Sequence, residues 1–72
     1  MSQNFHVFKT STSLKHCDYN EEKQILTLCF QSGGTHEFHK VPKHIYENIK
    51  TCKSAGQFFH SHIRDKFKNV RV

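Results

Sequence analysis

Alternating apolar and polar residues in the first half of the chain predict β-strands. The clearest stretch is residues 24–30, QILTLCF, where two leucines and a phenylalanine share one face of a strand. A less regular alternation in residues 14–19, LKHCDY, predicts a strand with either a bulge or an irregular start. The polar residues 20–23, NEEK, are typical of a hairpin loop between these strands. A third strand is predicted over residues 35–41, THEFHKV.

The glycine-containing turn before the third strand is expected to set its register. A three-residue loop, Ser32–Gly34, places Phe38 opposite Leu28. The same register places His36 opposite Phe30. A loop of two or four residues would place a glutamate opposite this leucine, which is a poor pair. The last glycine of the three-residue loop also supplies the left-handed conformation that such hairpins favour.

A first helix is predicted to begin at Pro42. Proline suits the first helical position, because the N–H that it lacks would have no helical partner there. Apolar side chains then recur at i, i+4 and i+7, namely at Ile45, Ile49 and Cys52. This spacing predicts one apolar stripe that faces the sheet.

A second helix is predicted to begin after Ser54. Ser54 and Gln57 have the spacing of a capping box, in which the serine side chain bonds a free N–H of the first turn. An apolar stripe follows at four-residue intervals: Ala55, Phe59, Ile63 and Phe67. The sequence therefore predicts an α+β fold, a three-stranded antiparallel meander followed by two helices packed on one face.

The chain divides into a short leading segment and one domain. Residues 11–72 are predicted to form the single domain, in which the tail KNVRV has no predicted element. Residues 1–10 contain NFHVF, an extended segment with apolar residues on both faces. This segment is expected either to add an edge strand or to dock on a protein partner.

Size and charge restrict the kinds of function that the chain can support. A domain of 72 residues has little room for a deep cleft and is expected to be only modestly stable. The formal net charge of +5 favours polyanionic partners such as nucleic acid. No apolar run approaches the about 18 residues that a membrane span needs, and the first residues do not resemble a secretory signal. No membrane partner is expected.

The cysteines and histidines do not form a recognisable catalytic or metal-binding motif. The cysteines at 17, 29 and 52 are odd in number and widely spaced, which favours reduced thiols in a cytoplasmic protein. Cys29 and Cys52 are expected to be buried. His36 and His39 are three residues apart on a strand, so they point to opposite faces. The sequence therefore predicts no metal site, no cofactor and no enzymatic activity.

Basic residues in the second half of the chain are the candidate contacts for nucleic acid. They flank the predicted strand-to-helix junction and crowd the C-terminus: Lys40, Lys43, Arg64, Lys66, Lys68 and Arg71. Phe67 lies among them, and aromatic residues between basic ones can stack on nucleobases. Phe67 is nevertheless in phase with the apolar stripe of the second helix, which favours core packing.

The order of these motifs resembles the KTSC domain family. The resemblance runs over residues 11–67 and is carried by STSLKHCDY, LTLCF with SGG, VPKHIYENI and SAGQFFHSHI. The family is named after the C-terminal extension of some lysyl-tRNA synthetases and also occurs as small stand-alone bacterial proteins. The central Tyr-x-Tyr of the family pattern is His36-Glu37-Phe38 here. Asp18 and Asn20 replace the usual glycine and aspartate around the tyrosine.

Two hypotheses of function follow from charge, pattern and resemblance. The first is a small module that binds RNA or another nucleic acid through its basic surface, which the synthetase association supports. The second is a protein-interaction module that uses the N-terminal segment or the open face of the sheet. The apolar segment FHVF and the two-faced strand Ile25–Phe30 support this second hypothesis.

Overall fold

The computed structural model describes residues 4–9 and 11–71, and it contains one antiparallel sheet with two helices. The strands follow each other in the sheet in chain order, so the sheet is a five-stranded meander. The elements are β1 (Asn4–Val7), β2 (Leu14–Asn20), β3 (Ile25–Phe30), β4 (Thr35–Phe38), α1 (Lys43–Thr51), α2 (Ala55–His62) and β5 (Asn69–Arg71).

The α+β class and the two helices are confirmed, but the prediction of three strands was wrong. The leading segment supplies β1, which pairs with β2 and places Phe5 opposite Asp18. The tail supplies β5, which pairs with β4 and places Val70 opposite Glu37. The three residues of β5 are too few to show a periodic pattern, so their strand conformation depends on the partner β4. The predicted third strand also ends earlier, at Phe38.

The loop between β3 and β4 has the predicted length but lies one residue earlier in the chain. The N–H of Phe30 donates to the carbonyl of Gly34 at 2.8 Å, which leaves residues 31–33 as the loop. Gly33, rather than Gly34, takes the left-handed conformation, with a φ of 104°. A three-residue hairpin needs one such residue near its end, and either glycine can supply it.

This displacement changes the strand pairing without exchanging the faces of the sheet. Phe38 lies opposite Leu26, and His36 lies opposite Leu28. The predicted partners were each two residues further along β3. Because side chains alternate with a period of two, an even shift keeps every side chain on its predicted face.

The irregularity predicted for the first strand and the loop predicted after it are confirmed. The pairing of β2 with β3 shifts between Leu14 and His16, which marks a bulge. The β2–β3 turn is closed by the Asn20 side chain, whose Oδ1 accepts the N–H of Lys23 at 3.1 Å. This bulge brings both Leu14 and Cys17 onto the buried face despite their three-residue spacing.

The chain leaves the sheet for the helices at Val41, and both backbone polar groups of this residue are bonded. Its N–H donates to the carbonyl of Gln24 at 2.8 Å, and its carbonyl accepts the hydroxyl of Tyr19 at 2.5 Å. The Tyr19 ring stacks on Tyr46 of α1, with ring centres 5.1 Å apart. The preceding residue, Lys40, turns the chain with a φ of 60°.

The first helix lies where it was predicted, but the residues that it buries differ in part from the predicted ones. Pro42 is the N-cap residue, so the helix itself begins at the next position. Tyr46 and Ile49 are fully buried, whereas Ile45 and Cys52 lie half-buried at the border of the core. The predicted apolar stripe did not include Tyr46. A tyrosine is buried in a core only where its hydroxyl and its ring find suitable neighbours, which the spacing of apolar residues does not show.

The start of α2 depends on a cap and on a close approach to the β1–β2 loop. The Ser54 Oγ accepts the N–H of Gln57 at 3.4 Å, as the capping-box pattern predicts. A Cβ atom added to Gly56 would lie 2.8 Å from the Oγ of Ser13. Glycine at position 56 therefore lets the helix lie directly against this loop.

The second helix is shorter than its apolar stripe predicted. Phe59 packs edge-on against Phe30 and Phe38, with ring centres 5.2 and 5.5 Å away. The helix ends at His62, and Phe67 lies beyond it, half-buried against the core. The prediction that Phe67 continues the helix was wrong, although its packing against the core is confirmed.

The hydrophobic core lies between the helices and one face of the sheet. Among the described residues, no polar or charged side chain is buried in it. Its members are Phe8, Leu14, Cys17, Tyr19, Leu26, Leu28, Phe38, Val41, Tyr46, Ile49, Ala55, Phe59 and Ile63.

The cysteines correct one expectation about burial. Cys17, which was not singled out for burial as the other two cysteines were, is fully buried on the core face of β2. Burial raises the pKa of its thiol to about 12, and the neighbouring Asp18 adds to this rise. Cys29 and Cys52, which were expected to be buried, are only half-buried. All three side chains are free thiols.

We expect Phe38→Ala to lower the free energy of unfolding by about 3–5 kcal/mol, because the change leaves a cavity in the core. Phe38 is 2% exposed and contacts Phe59. Glu37→Thr alters the opposite face of the same strand and should change stability little. Thermal and urea melts of both variants test this. A stable Phe38→Ala protein beside a destabilised Glu37→Thr protein would show that the faces are reversed.

Candidate nucleic-acid interface

Three of the six predicted basic residues meet at one cavity near the C-terminus. This cavity, called here the lysine cavity, has a volume of about 490 Å³. It is lined by His39, Lys40, Lys66, Phe67, Lys68 and Val70. The lining combines three ammonium groups with apolar surface and includes no carboxylate. Such a site can hold phosphate groups beside an apolar or aromatic part of the same ligand.

The segment between α2 and β5 brings these lysines together. The N–H of His39 donates to the carbonyl of Lys68 at 2.9 Å, which joins the end of β4 to the start of β5. The N–H of Lys66 donates to the carbonyl of Ile63 at 3.0 Å, so the chain turns tightly after the helix. Lys40 meets this segment from the β4–α1 connection.

The three lysines of the lysine cavity have no carboxylate partner in the described part of the chain, although its His39 lies 3.6 Å from the Glu37 carboxylate. Within residues 4–9 and 11–71, no ion pair involves Lys40, Lys66 or Lys68. Asp65 lies in the same segment but does not line the cavity. A group of unpaired cations attracts phosphate more strongly than the same cations already paired.

Lys43 does not join this group. Its ammonium lies 3.0 Å from the Glu21 carboxylate on the β2–β3 turn. The hydrogen bond with Glu21 raises the pKa of Lys43. Lys43 therefore has a carboxylate partner within the fold, unlike the lysines of the cavity.

Arg64 and Arg71 lie near a second cavity, called here the aromatic cavity. It has a volume of about 390 Å³ and is lined by Phe30, Ser32, Gly34, His36, Phe38, Phe59, Arg64 and Asn69. Arg64 lines it directly and donates from Nη1 to His60 Nδ1 at 3.3 Å. Arg71 lies opposite His36 in the pairing of β4 with β5. This cavity could not be predicted from the sequence, because its walls come from four separate elements.

A third, polar cavity of about 430 Å³ lies between the β1–β2 loop and the α1–α2 connection. Its lining includes three lysines, Lys9, Lys50 and Lys53. It also includes three serines, Ser11, Ser13 and Ser54. Lys50 and Lys53 are not among the six basic residues that the sequence marked as candidate contacts. Lys50 is partly neutralised, since its ammonium lies 3.3 Å from the Glu47 carboxylate.

The histidine at position 6 in β1 also lines the polar cavity. Burial lowers the pKa of His6, and the nearby Lys50 ammonium lowers it further. Both effects disfavour a positive charge on this ring. The smaller of the two effects reflects the positive charge of Lys50, which also lines this cavity.

The histidines predicted to face apart do so. His36 pairs with Leu28 on the core side, and its ring contacts Phe30 and Phe38. The His39 Nε2 lies 3.6 Å from the Glu37 carboxylate. Over the part of the chain that the structure describes, no group of three or more histidine, cysteine or acidic side chains could hold a metal ion.

In that same part of the chain, neither helix has the length and apolar character of a membrane-spanning segment.

Comparison with known families decides the classification. The model of the KTSC domain matches residues 10–67. The chain belongs to the KTSC domain family. This confirms the resemblance that the ordered motifs indicated.

Relatives of this KTSC chain include much larger enzymes. The chain is 40% identical to a lysine–tRNA ligase of Trichormus variabilis over 55 residues, which are 76% of this chain but 10% of the ligase. A lysine–tRNA ligase of Nostoc punctiforme is 38% identical over the same share. The chain thus spans about a tenth of these ligases, and the likeness to one segment does not make it an enzyme.

Relatives of similar length are also present. A protein of Tsukamurella paurometabola is 27% identical over 62 residues, which are 86% of this chain and 92% of that protein. The crystal structure of a KTSC domain protein from Yersinia pestis superposes with a TM-score of 0.90 and covers 99% of both chains. At 22% identity this likeness establishes the shared fold alone.

Several residues that carry the family resemblance have structural roles here. Tyr19 bonds the backbone at Val41, and Ser54 caps α2. Gly56 permits a close approach to the β1–β2 loop, and Phe59 fills the core. The family pattern thus explains the fold of this KTSC domain, whereas the lysine cavity depends on residues outside the quoted motifs.

We expect acidification to destabilise the KTSC domain partly through His6. The folded-state pKa of His6 lies below its ordinary value of 6.5, so the unfolded chain binds a proton more readily. The free energy of unfolding should therefore fall as the pH drops through 6.5 toward the folded pKa. Melts between about pH 7.5 and pH 5.5 should show a smaller loss for His6→Gln than for the parent. His44→Gln, at an exposed site, is the matched control, and an unchanged loss in His6→Gln would contradict the assignment.

Proposed function

We propose that this KTSC domain is a small non-catalytic module that binds single-stranded RNA through its C-terminal basic surface. The observation that carries the proposal is the convergence of Lys40, Lys66 and Lys68 around Phe67 and Val70, with no acidic residue in the lining. Ammonium groups bind successive phosphates, and exposed apolar surface can contact bases. We place this activity in the cytoplasm, where three free thiols remain reduced.

The backbone at Lys40 supports a role for its side chain. Its φ of 60° lies in the left-handed region, where glycine is the easiest residue to accommodate. A residue other than glycine at such a position costs about 1 kcal/mol or more. Lysine at position 40 adds a charge to the cavity that glycine would not.

The similarity to lysine–tRNA ligases favours RNA over other polyanions. The ligase segments are 38–40% identical to this chain, and the name of these enzymes states that they act on tRNA. A domain that is part of an enzyme acting on tRNA can provide an additional contact with the RNA. The remaining predicted residues, Lys43, Arg64 and Arg71, extend the proposed surface beyond the cavity.

We expect Lys66→Gln/Lys68→Gln to weaken RNA binding and to flatten its salt dependence. Each phosphate neutralised on a single strand contributes about −0.7 to the slope of log affinity against log salt. Removing two phosphate contacts should therefore make the slope less negative by about 1.4. The measurement is anisotropy of labelled oligouridylate in a salt series. Lys15→Gln/Lys23→Gln, on the β2 side, is the charge-matched control.

A second variant separates binding from folding. Lys40→Gly should weaken RNA binding while its melting temperature stays level or rises, because the left-handed strain is relieved. Gln24→Gly relieves similar strain at a φ of 55° but should leave binding unchanged. The absence of RNA affinity in the parent domain at low salt would contradict the proposed function.

A protein-interaction module is the second candidate, and one observation favours it. The exposed large hydrophobic side chains of the described residues all lie on the face of the sheet away from the helices: Phe5, Val7 and Val70. They are 51%, 48% and 48% exposed. Apolar side chains on an open sheet face are typical of contact surfaces between proteins.

This candidate predicts a partner-dependent effect of Phe5→Ser/Val7→Thr. The double variant should lose capture of a protein partner from a lysate while it keeps RNA affinity and thermal stability. Thr27→Ser, on the same face but without an apolar change, is the control. Equal capture by the parent and the double variant would contradict an interface at β1.

A further inference from the structure

The aromatic cavity combines ring surfaces with polar groups in a way that the proposed electrostatic contact does not use. Phe59 and Phe38 form its buried floor, and they are 8% and 2% exposed. Phe30 and His36 form half-buried walls, with ring centres 5.8 Å apart and planes at 89°. A planar ligand can therefore lie flat on one ring and meet the edge of the other, which are both favourable aromatic geometries.

The His36 ring is held in place by the last strand. Its Nδ1 lies 3.4 Å from the Asn69 Oδ1, and its ring is 6.4 Å from that of Phe38. The Asn69 Oδ1 can accept only when Nδ1 carries a proton, and this contact leaves Nε2 as the ring nitrogen that is free for a ligand. The ring thus offers a fixed face and one free hydrogen-bonding atom.

Gly34 keeps the approach to this atom open. A Cβ atom added at position 34 would have the His36 Nε2, 3.9 Å away, as its nearest neighbour. The backbone of Gly34 is not in the left-handed region, so a side chain can be introduced there without backbone strain. This position is therefore suitable for a substitution that fills the cavity and leaves its walls intact.

The charge at the rim of the aromatic cavity fits an anionic ligand. Arg64 is exposed, and its guanidinium carries more donors than the single contact with His60 uses. No carboxylate lines the cavity. The same short segment that carries Arg64 continues to Lys66 and Lys68 of the lysine cavity.

We propose that the aromatic cavity takes one unpaired nucleobase of the bound RNA, with Arg64 on an adjacent phosphate. This inference rests on the proposed RNA-binding function and names the part of the nucleotide that the second cavity recognises. The volume of about 390 Å³ lies in the range of small-ligand sites. Stacking of the base on His36 and Phe30 contributes affinity that does not depend on salt. The lysines contribute the affinity that falls as the salt concentration rises.

The test compares two labelled strands with equal numbers of phosphates. One is oligouridylate of about ten nucleotides, a usual length for small single-strand binders, and the other is the same ribose-phosphate chain without bases. The parent domain should bind the base-bearing strand about tenfold more tightly. Gly34→Leu and His36→Ala should each remove most of this difference. His36→Phe keeps a ring for stacking and should retain most of it.

Controls keep the outcomes distinct. Ser61→Leu, on the exposed side of α2, controls for the added leucine, and thermal melts show whether each variant is folded. Equal affinity of the parent for both strands, with a clear salt slope, would overturn the nucleobase site and leave the proposed function standing. A base preference that persists in folded Gly34→Leu and His36→Ala would also overturn it. Failure of the parent to bind either strand would remove the proposed function, and the nucleobase site with it.

Discussion

The two bonds at Val41 are the constraint on which the arrangement of sheet and helices depends. Its N–H is held by Gln24 and its carbonyl by the hydroxyl of Tyr19, which also stacks on Tyr46 of α1. A buried backbone group without a partner costs about 1–3 kcal/mol. A different route of the chain at Val41 that broke either bond would therefore be less stable by about this amount. With this crossing fixed, α1 lies over the core face of the sheet. A short connection then places α2, and the segment after α2 returns beside β4.

Those features that depend on neighbouring residues could be predicted from the sequence, and those that depend on distant partners could not. The faces of β2 and β3, the cap at Ser54 and the bulge near Leu14 follow from local pattern. The loop position was not determined, because Gly33 and Gly34 both permit a left-handed turn and either choice preserves the faces. The strand at Val70 was missed, because only its pairing with β4 makes it a strand.

The basic residues show the same division between local and distant information. Sequence alone marks a lysine as a charge, but its availability depends on the carboxylates that the fold brings near. Lys43 meets Glu21 and Lys50 meets Glu47, so these two charges have partners within the fold. Lys40 and Lys68 come from segments nearly thirty residues apart and meet at a cavity without acids. Their convergence required the β4–β5 pairing and was not visible in the sequence.

In so small a domain, recognition is left to the rim of the core and to the open face of the sheet. Both helices and one face of the sheet are needed for the core, so a cavity that lies directly against the core shares residues with it. Phe59 illustrates the sharing, because it is 8% exposed and still forms the floor of the aromatic cavity. A change at such a residue alters stability and binding together. Residues at the rim, such as Gly34, His36 and Arg64, can alter binding alone, and for that reason they distinguish a recognition site from a mere gap beside the core.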